Sequence, residues 1–205
     1  MTHTLHRAGT DRNLKEDFIV FTMAAKTVNA KGSAGKMRKF FEILEKRDWV
    51  NYGDMKTGNI LNCDRDTIYH GIQDTSIVHF VFRDKGQVGK ILEELEAAQL
   101  GNSVVVSGLV EEIDRQCKRA GLQMHTVEFS GGIHGRVELL PEKPVLEITT
   151  MCGHGMVASN LVRELVRQIK KGKKTLQEAG FELAKPCQCG VFNTKRAEAL
   201  LEKFL

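Results

Sequence analysis

The residues best suited to chemistry stand near the end of the chain. Val145 to Ser159 reads VLEITTMCGHGMVAS, an apolar run that enters a turn holding a thiol, an imidazole and glycines. Read as a strand running into a turn, Gly153 and Gly155 let the backbone bend sharply at the strand's carboxyl end, where open α/β sheets place their ligands. Cys152 would then lie close to a helix N-terminus, whose N–H groups and dipole favour a thiolate. Such a thiolate is a nucleophile, a base or a metal ligand; a glycine-rich turn in which a cysteine merely fits explains the same letters.

A second cluster, Lys185-Pro186-Cys187-Gln188-Cys189-Gly190, falls in the short connection between two helices. A Cys-x-Cys-Gly turn can face two sulfurs to one side while backbone N–H groups point toward them, as metal knuckles do. Cys152, His154, Cys187 and Cys189 together offer three thiolates and one imidazole, a set suited to tetrahedral zinc or to an iron–sulfur cluster. One helix of ~24 Å leads away from the first turn and another of ~14 Å leads back, at 1.5 Å per residue, so the two turns can meet if the helices are antiparallel. A buried thiol pair, a redox pair or two unrelated turns are the alternatives.

Phe129 to Arg136, FSGGIHGR, is another glycine-rich stretch. If the strands on either side of it run parallel, it emerges beside the Cys152 turn, with His134 as an acid or base and Arg136 as an anion holder. Gly131, Gly132, Gly153 and Gly155 are then the candidate ligand-binding glycines and Cys152, His134 and Arg136 the candidate catalytic residues. An exposed β-turn explains the same letters. Ala30 to Met37, AKGSAGKM, approaches a phosphate-binding loop, but Ala30 replaces its first glycine and Met37 stands where a magnesium-binding hydroxyl belongs. The Lys170-Lys171-Gly172-Lys173-Lys174 run reads as a helix end, with cations on the dipole and a glycine cap. Cys117 reads as a core thiol, Cys63 as a surface thiol, and His3 and His6 are given no role.

These residues must be positioned by a scaffold that the periodicities outline. Asp17–Ala24, Ile77–Phe82, Val104–Val106, Met124–Phe129 and Val145–Thr150 read as strands, and Met37–Arg47, 84–100 and 109–121 read as helices between them. The alternation predicts an α/β fold: a mainly parallel or mixed sheet of about five strands flanked by helices, with a C-terminal helical layer. Residues 1–155 form the sheet core. Residues 51–75 match neither period and read as a loop or hairpin excursion, whose Trp49, Tyr52 and Tyr69 suit a lid or ordinary edge packing. Residues 156–205 form helices packed on the same domain: Val157, Leu161, Leu165 and Ile169 share a stripe, Thr175 and Glu178 fit a capping box, and Asn193 or Thr194 starts the last helix. The sequence shows no internal repeat.

The 205 residues carry 41% hydrophobic and 27% charged residues at a net charge of +4, a globular composition without a strong nucleic-acid signature. No run approaches the ~20 apolar residues of a membrane span, and the first twenty residues are too polar for a signal peptide. Five cysteines, an odd number, suit thiols or metal ligands in a reducing cytoplasm rather than a disulfide framework.

Met151-Cys152-Gly153-His154-Gly155 resembles the segment around one catalytic cysteine of the proline racemase family, in which two thiols work as paired acid and base. Cys187-Gln188-Cys189-Gly190 does not reproduce that family's second catalytic motif, and the chain is shorter than its two-lobed subunit; membership is not claimed. The expectation is an intracellular metal-binding α/β protein, an enzyme by preference, with a zinc or iron–sulfur site. A metal-free thiol enzyme using Cys152 and a phosphate- or nucleotide-binding regulatory module are the alternatives. The expected partner is a small molecule, an anionic one among the options, with no membrane; nucleic acid is disfavoured but not excluded by the charge, and a homo-oligomer is allowed.

Overall fold

Phe18–Met23 (β1) sends Phe18 and Val20 to one side and Ile19 and Phe21 to the other, and all four are buried. A strand apolar on both sides must be covered on both faces. The computed structural model describes residues 7–205, so His3 and His6 lie outside the described residues. Its other strands are β2 (Asn51–Asp54), β3 (Gly58–Asn59), β4 (Ile77–Phe82) and β5 (Ser103–Ser107). The helices are α1 (Asp11–Leu14), α2 (Ala34–Glu45), α3 (Arg65–Gly71), α4 (Lys85–Ala98), α5 (Val110–Arg119), α6 (Lys143–Thr149), α7 (Ser159–Lys170), α8 (Leu176–Ala184) and α9 (Thr194–Glu202).

The strands form one sheet in the order β3-β2-β4-β1-β5, and every neighbouring pair is antiparallel. The expected parallel or mixed sheet is therefore wrong. β1 and β2, joined through α2, are both antiparallel to the β4 that lies between them, and so are parallel to each other. β4 and β5, joined through α4, likewise enclose β1. The strand–helix–strand units are real, but each leaves a one-strand gap that the other fills in the opposite direction, the split βαβ pattern.

One face of the sheet carries Phe18, Val20, Phe80 and Phe82 against apolar residues of α2 to α5. The other carries Ile19, Phe21 and Val81 against α6 to α9. Val145–Thr150, expected as a strand, is α6 and its cap: Pro144 sits in the first turn, where its missing N–H costs nothing, and Val145 and Ile148 turn to one buried side. Met124–Phe129, also expected as a strand, takes no regular structure, and Phe129 is exposed. The helical layer thus begins at Lys143 rather than at residue 156. Residues 51–75 form the β2–β3 hairpin and α3; Trp49 meets Tyr52 edge-on, Tyr69 meets Phe41 edge-on, and Tyr52 stacks on Phe80, so the three aromatics are core packing rather than a lid.

The helical layer contains an internal repeat that the letters conceal. α6–turn–α7 and α8–turn–α9 follow one plan 35 residues apart: Thr149 and Ala184 end a helix, Cys152 and Cys187 open a turn, and Ser159 and Thr194 begin the next helix. The N–H of Cys152 donates to Thr149 (3.3 Å) and that of Cys187 to Ala184 (2.9 Å); the N–H of Gly155 donates to Cys152 (3.0 Å) and that of Gly190 to Cys187 (2.9 Å). Ile148 and Leu183, Val157 and Phe192, Val162 and Ala197, and Leu165 and Leu200 are matched buried pairs. Shared identities are few, among them Glu147/Glu182, Cys152/Cys187 and Gly155/Gly190, because the repeat conserves a burial pattern and a turn.

Candidate functional site

Each turn needs a glycine in the left-handed region, and each has one: Gly155 at φ 67° and Gly190 at φ 70°. The bend aims backbone N–H groups at the first cysteine of its turn, those of His154 and Met156 at Cys152 and that of Val191 at Cys187. Two amides thus face the first thiol and one faces the second. The structure also corrects the expected surroundings of Cys152, which follows a helix rather than a strand and precedes α7 by seven residues. The N–H groups of its own turn serve it, not a helix terminus.

α7 runs outward and the capped α8 returns, and this brings the two turns together. Cys187 donates its thiol hydrogen to Cys152, and the Sγ of Cys189 lies 3.4 Å from Nδ1 of His154. The Cys187 hydrogen bond, aided by the Met156 and His154 amides, overcomes burial and holds the Cys152 thiol down to about 6. Cys187 is pushed far up by donating to that thiolate and by burial, and Cys189 is raised by burial and by the negative charge on Cys152. Cys152 and Cys187 are buried, Cys189 is half-buried and His154 is exposed. The donors form two touching pairs. Among the described residues, no three Cys, His, Asp or Glu groups are already closed around one point.

Residues outside the motifs hold the turns in place. The Arg7 guanidinium donates to the carbonyl of Met151 at 3.3 Å and to that of Val191 at 2.6 Å, clamping one turn to the other. Ala8 donates its N–H to Thr150 Oγ1 at 2.9 Å. The buried Asn51 amide donates to the Gly190 carbonyl, and Asn59 packs against the same glycine. Behind Arg7 lies a buried ionic cluster: Asp17 pairs with Arg7 and with Arg196, the latter at 2.8 Å, and accepts from Asn193 at 3.0 Å. Burial alone would raise the Asp17 carboxyl, but Arg7 and Arg196 outweigh it and hold the group below the usual carboxylate range. None of these residues carries a motif; the sole signal is a charged letter, Arg196, on the apolar side of a helix.

His134 and Arg136 are not gathered with the cysteines. His134 folds back on the carbonyl of Gly131 at 2.6 Å, and Arg136 pairs with Glu138 at 3.1 Å, both exposed. The parallel strands that would have aimed this loop at Cys152 do not exist, and Gly131 and Gly132 stay with it. Gly153 and Gly155 do border a cavity of about 380 Å³ together with Cys152. The phosphate-loop candidate is filled from within: the Asp74 carboxylate accepts from the N–H groups of Gly32 (2.8 Å) and Ala34 (2.9 Å), which lower its pKa. An anion is already built into the start of α2. The Lys170–Lys174 run closes α7, with Lys173 N–H donating to Gln168 and Gly172 at φ 66°. Cys117 lies in the core, while Cys63 is half-buried, its thiol directed at the Thr57 carbonyl at 3.6 Å.

Comparison with family models, characterised proteins and solved structures finds no match for this chain. Among the described residues, no helix is long and apolar enough to cross a membrane.

Proposed function

We propose that this chain is a metal-binding protein in which Cys152, His154, Cys187 and Cys189 take one ion, zinc by the character of the donors. The observation that carries the reading is the pair of equivalent Cys-x-(His/Cys)-Gly turns, each with N–H groups aimed at its first thiol, meeting at the 3.4 Å Cys189–His154 contact. Three sulfurs and one imidazole suit tetrahedral zinc, and binding would require the two pairs to rearrange around one centre. Free cysteines throughout accord with a reducing cytoplasm. Protein purified without oxygen should carry about one equivalent of zinc per chain, lost in Cys187→Ser/Cys189→Ser. Less than about half an equivalent, unchanged in that variant, would remove metal from the account. Visible absorption with bound iron would instead favour an iron–sulfur cluster.

A second reading rests on the Cys152 thiolate itself: without metal, Cys152 and Cys187 are an ionised and a protonated thiol in contact, a base facing an acid. It predicts that protein purified without oxygen carries no stoichiometric metal and that its Cys152 is alkylated far faster than its Cys117 near neutral pH.

A further inference from the structure

The two cysteine turns share a build but not their surroundings. A Cβ added at Gly190 would fall 2.5 Å from the Asn59 Cβ, and the Asn51 amide holds the Gly190 carbonyl, so the β2–β3 hairpin seals that turn. At the equivalent Gly155 nothing lies within 4 Å of such a Cβ. The two buried thiols divide in the same way. Cys152 lines the cavity of about 380 Å³ beside the open turn, whereas Cys187 touches Cys152 through its thiol hydrogen and has no part in the cavity wall. That wall joins apolar side chains, Leu140, Pro141 and Val157 among them, to the hydroxyl residues Thr149, Thr150 and Ser159. Among the described residues, no charged side chain lines it.

One thiol on a cavity, with a second in contact behind it, is the arrangement of an attacking and a resolving cysteine. We infer that Cys152 and Cys187 are a redox pair that reduces a small, neutral disulfide entering this cavity. The inference goes beyond the metal reading and needs no ion. An uncharged wall leaves a charged substrate without a partner, while its hydroxyls and apolar side chains suit short alkyl groups with polar ends. The Cys152 sulfur attacks one sulfur of the substrate; a Cys152–sulfur bond forms as the substrate's own S–S bond breaks, and the departing thiolate takes the Cys187 proton. Cys187 then attacks the Cys152 sulfur, and the second thiolate leaves with the charge that Cys152 had carried. The protein dithiol gives up two electrons and becomes a disulfide, and the substrate takes them and becomes two thiols. Transient disulfides of this kind are the ones a reducing cytoplasm permits.

The test mixes the full chain, reduced and kept in a chelator, with hydroxyethyl disulfide. The wild type should release about two equivalents of mercaptoethanol per chain, with Cys152 and Cys187 joined in the peptide map. Cys187→Ser should release about one equivalent and keep a hydroxyethylthio group on Cys152, and Cys152→Ser should release none over the same time. Cys187→Ala stands in if the serine variant fails to fold. Ala158→Trp, which obstructs the cavity, should slow the release at least about tenfold, and Leu140→Trp is the second such variant. No release, a hydroxyethylthio group that stays on wild-type Cys152, a disulfide that leaves out Cys152 or Cys187, or an unchanged rate in both obstructed variants would overturn the inference. Zinc content is read on separate, unoxidised protein, so neither result decides the other.

Discussion

Cys152 carries charge in a buried place only because a thiol and two amides point hydrogens at it. In protein stripped of metal, iodoacetamide should therefore label Cys152 faster than Cys117, whose thiol is raised by burial, with half-maximal rate near pH 6. In Cys187→Ser the midpoint should move if the thiol donor matters; mass-spectrometric labelling rates across pH read this directly. Arg7 is the other decisive residue. Arg7→Lys keeps a charge near Asp17 but cannot span both the Met151 and Val191 carbonyls. If the proposed zinc site exists, competition with a chelator should show its affinity falling about 10- to 100-fold, the usual cost of losing a group that orients ligands. That Cys152, His154, Cys187 and Cys189 could lie together was legible in the sequence because thiols and imidazoles are scarce and stood one residue apart in each run. Arg7 was not, because a side chain that grips backbone carbonyls needs no particular residue at the other end.

At the scale of elements, the two cysteine turns depend on two glycines, and their unequal surroundings predict unequal costs. Gly155→Ala meets only the left-handed backbone, about 1–2 kcal/mol. Gly190→Ala meets that and the Asn59 side chain as well, adding about 1–3 kcal/mol of overpacking. Urea denaturation of the two variants should rank them in that order; equal losses would mean that the hairpin does not seal the second turn. The Thr175–Glu178 capping box that starts α8 was plain in the sequence, and both of its hydrogen bonds are present. So were the ends of α5 and α7, because caps are chemistry between neighbours. α6 was misread as a strand: over six residues, an apolar run fits a buried strand and a buried helical turn equally, and only packing chooses. The repeat escaped because its halves share burial at matched positions rather than residue types.

For the whole molecule, the Asp17–Arg7–Arg196 cluster ties the start of β1 to α9 and to the Arg7 clamp. Because the folded state holds the Asp17 carboxyl below its ordinary value, its contribution to stability is complete above the usual carboxylate range. It is lost as pH falls through the lower, folded value. Asp17→Asn leaves two buried guanidinium groups without their counter-charge, a cost of about 3–5 kcal/mol. Its stability relative to the wild type should be worst near neutrality, and the gap should narrow as acid removes the wild-type charge. Urea midpoints between pH 7 and pH 3 measure that gap, and a constant difference would place the charge of Asp17 outside the account.

What the sequence determined alone is what neighbours along the chain determine: strand–helix alternation, the caps, the apolar stripes, and the two short runs of metal-suited donors. Tertiary structure decided the rest. Whether β1 lies beside a parallel or an antiparallel partner depends on which strand fills the gap left by a crossover far away in sequence. Whether Cys152 meets Cys187 depends on α7 and α8 docking side by side on the sheet. His134 was lost to the site, and Arg7, Asn51 and Asp17 joined it, because long-range packing is settled by the burial of whole faces at once, and no local period records it.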